Sequence, residues 1–176
     1  KVGGHQASSA SIVSIMTALY FSVLRPEDRV AVKPHASPVF HAIQYLSGLQ
    51  TKEKIQNFRG FGGAQSYPSR TKDIDDVDIS TGSVGLGVAM TSFISLIQDY
   101  IARKQFYKNK PLGRMIALVG DAELDEGNVY ECLQEGWKHD LRNVWWIIDY
   151  NRQSLDGVVH EGLSERLSSV FSAFDW

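Results

Sequence analysis

Apolar residues return every three or four positions between Ser8 and Leu24. Ile12, Ile15, Met16, Leu19 and Val23 fall on one face, which predicts an amphipathic helix. Ser8 or Ser9 can cap its start, and Arg25-Pro26 ends it, because the residue before a proline avoids helical backbone. Arg29 to Lys33 reads as a short strand and PHASP (34–38) as a loop. Val39 to Leu49 predicts a second amphipathic helix closed near Gly48, and TKEKIQNFR (51–59) a third, short one. From Gly60 to Val77 the period is lost among Gly, Ser, Pro and Asp, and a loop of that length inside a compact domain is functional or disordered. TGSVGLG (81–87) then leads into a long helix from Leu86 to Lys108. RMIALV (114–119) is a strand, EGNVYECLQEGWKHD (126–140) a helix and NVWWIID (143–149) a strand, with a last amphipathic helix over 161–174.

Strand, helix, strand in that order calls for parallel pairing with a right-handed crossover. The expected fold is therefore α/β, a parallel sheet sandwiched by helices, in one domain over 1–176. Net charge is −2, so no basic field points to nucleic acid or an anionic membrane. Uninterrupted apolar runs such as Val144–Ile148 are far short of a bilayer span. Cys132 is the only cysteine, which excludes an internal disulfide and suits a reducing, cytoplasmic setting. No signal peptide pattern is visible. The chain opens on Lys1 and stops after a helical pattern with no closing strand, so the expectation is a piece of a longer polypeptide.

Candidate chemistry gathers where the last two strands end. Asp121, Glu123, Asp125 and Glu126 crowd behind IALVG, and Asp149-Tyr150-Asn151 closes VWWII. Parallel strands bring both ends to one edge of the sheet, where open α/β folds bind ligands. Helix capping explains Asp125 and Glu126, since carboxylates near a helix N-terminus gain about 0.3–1 kcal/mol each. It explains Asp121 less well, because that residue sits at the strand end. The other reading is a magnesium site: Asp121 gives a carboxylate, Asn151 an amide oxygen and the loop a carbonyl such as that of Gln153, leaving positions for a diphosphate and water. The adjacent helix N-terminus offers amides to the same anion. GSVGLG alone is a weak Gly-rich turn without the dinucleotide spacing. Trp137, Trp145 and Trp146 read as core, His41, His139 and His160 as ordinary histidines, and RKQFYKNK (103–110) as a solvated helix end.

Gly120-Asp121-Ala122, then 28 residues, then Asn151 and QSLDG, resembles the thiamine diphosphate motif Gly-Asp-Gly…Asn. Ala122 replaces the last Gly, which is tolerable unless a positive φ is needed there. GGHQASS (3–9) and KPHASP (33–38) are similar to the two His segments of transketolases and of the homodimeric pyruvate dehydrogenase decarboxylating component. TGSVGLG resembles the transketolase turn Thr-Gly-Pro-Leu-Gly-Gln-Gly. The resemblance implies thiamine diphosphate and magnesium as cofactors. Asp121, Asn151 and the Gln153 carbonyl would hold the metal. Gly120, Ala122 and Glu123 would approach the diphosphate, with Ser8 a weaker candidate. Gly82 and Val84 would contact the aminopyrimidine end. His5 and His35 would line the pocket as proton shuttles, and Glu126 would lie near a subunit interface.

Three activities stay open at this point. Transketolases carry a His-Pro in the long loop, whereas this chain has Tyr67-Pro68, and its SYP and NRQSLDG segments look closer to the pyruvate dehydrogenase type. The favoured expectation is a 2-oxo acid dehydrogenase first component acting on a substrate such as pyruvate and passing the product to an acyltransferase component. The alternatives are transketolase and a noncatalytic cofactor-binding or assembly subunit. The resemblance also implies a pyrimidine-binding domain with an activating Glu, not visible in these residues, supplied by a homodimer mate or a partner domain.

Overall fold

A computed structural model describes residues 6–106, 110–154, 157–158 and 161–176. His5, His160 and the middle of the basic run lie outside the described residues. Helix α1 spans Gln6–Ala18 and runs into one π-helical turn, Leu19–Val23, closed by Leu24 N–H donating to Leu19 O. Ser8 and Ser9 therefore sit inside the helix and do not cap it. The segment Gln6–Val23 is long and apolar enough to span a bilayer by length and composition. Yet Ile12, Met16 and Leu19 pack into the core of the sheet, as in the core helix of a folded domain.

Strands β1 (Arg29–Ala31), β2 (Met115–Gly120) and β3 (Val144–Asp149) form a parallel sheet in the order β1-β2-β3. Every residue of β2 is buried. Successive side chains on a strand point to opposite faces, and β2 divides accordingly. Ile116 and Leu118 join Ile12, Met16 and Phe40 from α1 and α2 (Ser37–Leu46) on one face. Ala117 and Val119 join Val88 of α4 (Leu86–Arg103) and Val129 of α5 (Gly127–His139) on the other, with α6 (Leu163–Ala173) packed alongside. Each of the larger side chains contributes about 1.5–3 kcal/mol by burial, and two buried faces make the sandwich that the sequence pattern predicts. Short α3 (Lys52–Gln56) follows α2, and a small antiparallel pair, β4 (Gln153–Ser154) and β5 (Gly157–Val158), follows β3.

The tryptophans divide. Trp146 packs inward against Trp176 and Phe171. Trp145 faces outward on β3 with the Arg114 guanidinium 4.2 Å from its ring centroid, and exposed Trp137 donates to Asp175. Alternation on β3 sends neighbouring tryptophans to opposite faces; both faces are covered further along, but Trp145 itself is 41% exposed, so a core role does not hold for it, nor for exposed Trp137 on α5. Cys132 is buried in α5, and burial pushes its thiol up to about 11, so it carries no thiolate chemistry.

Candidate active site

Register builds the site. Gly120 pairs directly with Asp149, so Asp121 and Tyr150 leave neighbouring strands side by side. Asp121 opens a 3-10 turn, Asp121–Asp125, that delivers the chain to α5. Its buried carboxylate ties the two strand ends together: Oδ1 accepts from Ala122 N at 3.0 Å and Oδ2 from Arg152 N at 2.6 Å. Arg152 holds a φ of 59°, in the left-handed region, just after the strand end. Ala122 has no positive φ, so alanine fits where the motif has glycine.

A cleft of about 640 Å³ opens above these strand ends. Ser8, His35, Val84, Gly120, Asp121, Ala122, Glu123 and Asn151 line it, together with Lys33, Asp125 and Glu126. Gly82 lies outside that wall against Tyr67, whose ring is 6.1 Å from that of His35. Gln153 stands at the start of β4. PHASP proves to be a 3-10 turn, Pro34–Ala36, leading straight into α2; Ser9 Oγ donates to the His35 carbonyl at 2.9 Å.

Three features escaped the sequence pattern. Glu123 clasps two backbone amides, accepting from Gly85 N and Gly120 N at 3.0 Å each. Burial raises its pKa, and the two amides and Lys33 only partly offset that. Gly85, the N-cap of α4, has a φ of 79°, and a Cβ there would fall 2.6 Å from Asn128 Oδ1, so glycine is required. Lys33, at the end of β1, crosses over β2 to reach Asp149 on β3, with Nζ to Oδ2 at 2.7 Å and both side chains buried. Gly120 permits that crossing: a Cβ on it would lie 3.1 Å from Lys33 Cε. A lysine and an aspartate closing two apolar strands were the available signal.

His41 is the third. It is buried in α2 with Nδ1 2.6 Å from Asp75 Oδ2 and Nε2 3.0 Å from the Gln65 carbonyl. A carbonyl only accepts, so Nε2 carries a proton. Burial alone would lower the pKa of this ring; the hydrogen bond and charge of Asp75 outweigh it, and the value is raised. The ligand atoms of His41, Asp73 and Asp75 lie within 4.8 Å of one another. The 2.6 Å contact is a hydrogen-bond separation, and Asp73 already accepts from Gln65 N and Ser69 N. The cluster is a clamp on the 60–77 loop. A raised histidine pKa gives stability that is full below the unfolded value, about 6.5, and lost as pH rises through the folded value. Amide hydrogen exchange in 60–77, corrected for its intrinsic rate, is therefore expected to accelerate from pH 6 to pH 9. His41→Asn should exchange fast at both.

The family model "Transketolase, thiamine diphosphate binding domain" matches residues 3–176. This chain belongs to that family. An apulose-4-phosphate transketolase component of Phocaeicola vulgatus is 29% identical across 98% of this chain and 62% of its own length. The pyruvate dehydrogenase E1 component of Pseudomonas aeruginosa is also 29% identical, across 99% of this chain and 21% of its own. The crystal structure of transketolase from Campylobacter jejuni superimposes with a TM-score of 0.73 at 28% identity, covering 84% of this chain and 23% of that one. The chain thus spans between 21% and 62% of the length of these curated relatives. It is a thiamine diphosphate-binding domain of the kind shared by transketolases and 2-oxo acid dehydrogenases.

Proposed function

We propose that this domain, over 1–176, binds thiamine diphosphate through magnesium and serves decarboxylation of a 2-oxo acid in an enzyme of the homodimeric pyruvate dehydrogenase type. Tyr67 carries the choice of branch. It stands where the resemblance puts a transketolase histidine, and its ring lies 6.1 Å from that of His35, which lines the cleft. Relatives of both branches are equally similar, so the reading rests on that residue and not on overall identity.

The residues suit the cofactor. Asp121 and Asn151 offer a carboxylate and an amide at adjacent strand ends, an oxygen-only set of the kind magnesium takes. Ser8 lines the cleft with a buried hydroxyl oxygen that has no partner among the described residues. In this reading Asp121, Asn151 and the Gln153 carbonyl hold the metal. Ser8, Gly120 and Ala122 face the diphosphate, Glu123 braces the two turns around it, and Gly82 and Val84 meet the aminopyrimidine end. When bound, the cofactor supplies a nucleophilic thiazolium carbon and an electron sink for the bond beside the substrate carbonyl. His35, with His5 as second candidate, holds or moves a proton at a ring nitrogen near that bond.

The pyrimidine-activating Glu would come from another domain, in a homodimer mate or a partner chain. Exposed Leu86, Met90, Phe93, Ile97 and Tyr100 follow a heptad spacing along α4 and suit such an interface. Acyl transfer to a partner component and a reducing cytoplasmic setting belong to the same proposal. The test is paired assays on the complete protein. Pyruvate with an artificial electron acceptor should be turned over, a ketose phosphate donor should not, and residues 1–176 alone should be inactive. Ketol transfer without pyruvate turnover would favour transketolase; cofactor binding with neither activity would favour a noncatalytic subunit.

A further inference from the structure

A metal at Asn151 needs the oxygen end of the amide, and the two ends of an amide are the same size. Around Asn151 the choice is made by neighbours. Nδ2 lies 3.3 Å from Ser11 Oγ and 3.5 Å from Asp149 Oδ2. Ser11 Oγ donates its one proton to Asp149 Oδ2 at 2.5 Å; its other approach, 3.3 Å to the Ser8 carbonyl, is too long to compete. Lys33 Nζ donates to the same Asp149 oxygen at 2.7 Å. Ser11 Oγ and Asp149 Oδ2 therefore present lone pairs to Asn151, and the NH2 end of the amide suits them.

We propose that Ser11 and Asp149, anchored by Lys33, are positioning residues that fix the flip of the Asn151 amide so that its oxygen is the end offered to a divalent cation. This rests on the magnesium reading above and adds residues from α1 and β1 to it. It accounts for an amide at 151. Aspartate would attract a cation more strongly by charge, but its second oxygen would face Asp149 Oδ2 and the Ser11 lone pairs.

Ser11 is exposed on α1, so Ser11→Ala opens no cavity in the core, though Asp149 loses one donor and keeps Lys33. The experiment is Mn2+ binding followed by electron paramagnetic resonance, with thiamine diphosphate present, on the intact protein. Ser11→Ala should weaken binding by about 10–100-fold, the usual effect of losing a group that orients a ligand. Ser11→Thr should restore it, and circular dichroism should show the cofactor-free variants folded like the parent. Asn151→Asp should also bind more weakly than the parent. Parent-like binding by Ser11→Ala, no rescue by Ser11→Thr, or tighter binding by Asn151→Asp overturns the inference. Asp121→Ala separates the causes. If it loses Mn2+ while Ser11→Ala does not, only the amide-positioning role falls; if the parent shows no cofactor-dependent Mn2+ binding, the magnesium reading falls with it.

Discussion

Asp121→Ala is expected to abolish magnesium-dependent binding of thiamine diphosphate, with a loss greater than about 100-fold, since even outer groups around a metal cost about 10–100-fold. Among the described residues it is the only carboxylate in the cleft that bridges the two strand ends, through Ala122 N and Arg152 N. Alanine removes the proposed ligand and also leaves those two amides without their acceptor, at about 1–3 kcal/mol for each that stays buried. Asp121→Asn separates the two effects. It retains an oxygen acceptor for one amide but carries no charge for the metal, so it should fold better than Asp121→Ala and still bind poorly. Titration calorimetry with and without magnesium, beside circular dichroism, reads both. Parent-like affinity in a folded Asp121→Ala variant would remove Asp121 from the metal site.

Lys33→Met is expected to be the most destabilising single change at the site. Lys33 and Asp149 are both buried, with about 6% of each side chain exposed. Removing one member of such a pair strands the other charge, typically at a cost of about 3–5 kcal/mol. In a domain of this length that lowers the melting temperature by roughly 10 °C. Buried pairs are not themselves strongly stabilising, because desolvation offsets attraction. The double variant Lys33→Met/Asp149→Leu should therefore recover most of the loss while still failing to orient Asn151. Thermal melts of the parent, both single variants and the double form the cycle. A Lys33→Met melt within about 2 °C of the parent, below the shift expected for even 1 kcal/mol at this size, would mean that Asp149 finds another partner or is hydrated.

The local pattern carried most of the architecture. The spacing of Ile12, Met16 and Leu19, the fully apolar β2 and the strand-helix-strand order after Arg114 specify amphipathic elements and parallel pairing, because each is a property of neighbours in the chain. Asp121 and Asn151 were legible for the same reason: both follow directly on an apolar strand, and parallel strands end together. The sequence also marked the 60–77 loop, though not what ties it down.

Tertiary structure alone decided the rest. Lys33 meets Asp149 across 116 residues, and Ser11 meets Asp149 across 138. His41 finds Asp75 across 34 residues and Gly85 finds Glu123 across 38. No periodicity encodes such pairs, since a period fixes which face a residue occupies and not what the opposing element brings to it. Trp145 and Trp146 differ for a related reason: alternation says they part, but only the packing of α6 and Trp176 covers Trp146 and leaves Trp145 exposed. The sequence by itself determined the main helices and strands, their parallel arrangement and the strand ends that bear the proposed ligands. The fold decided which polar groups those ends are locked against, because a buried charge or amide takes whichever partner the packing of distant segments places within hydrogen-bond reach.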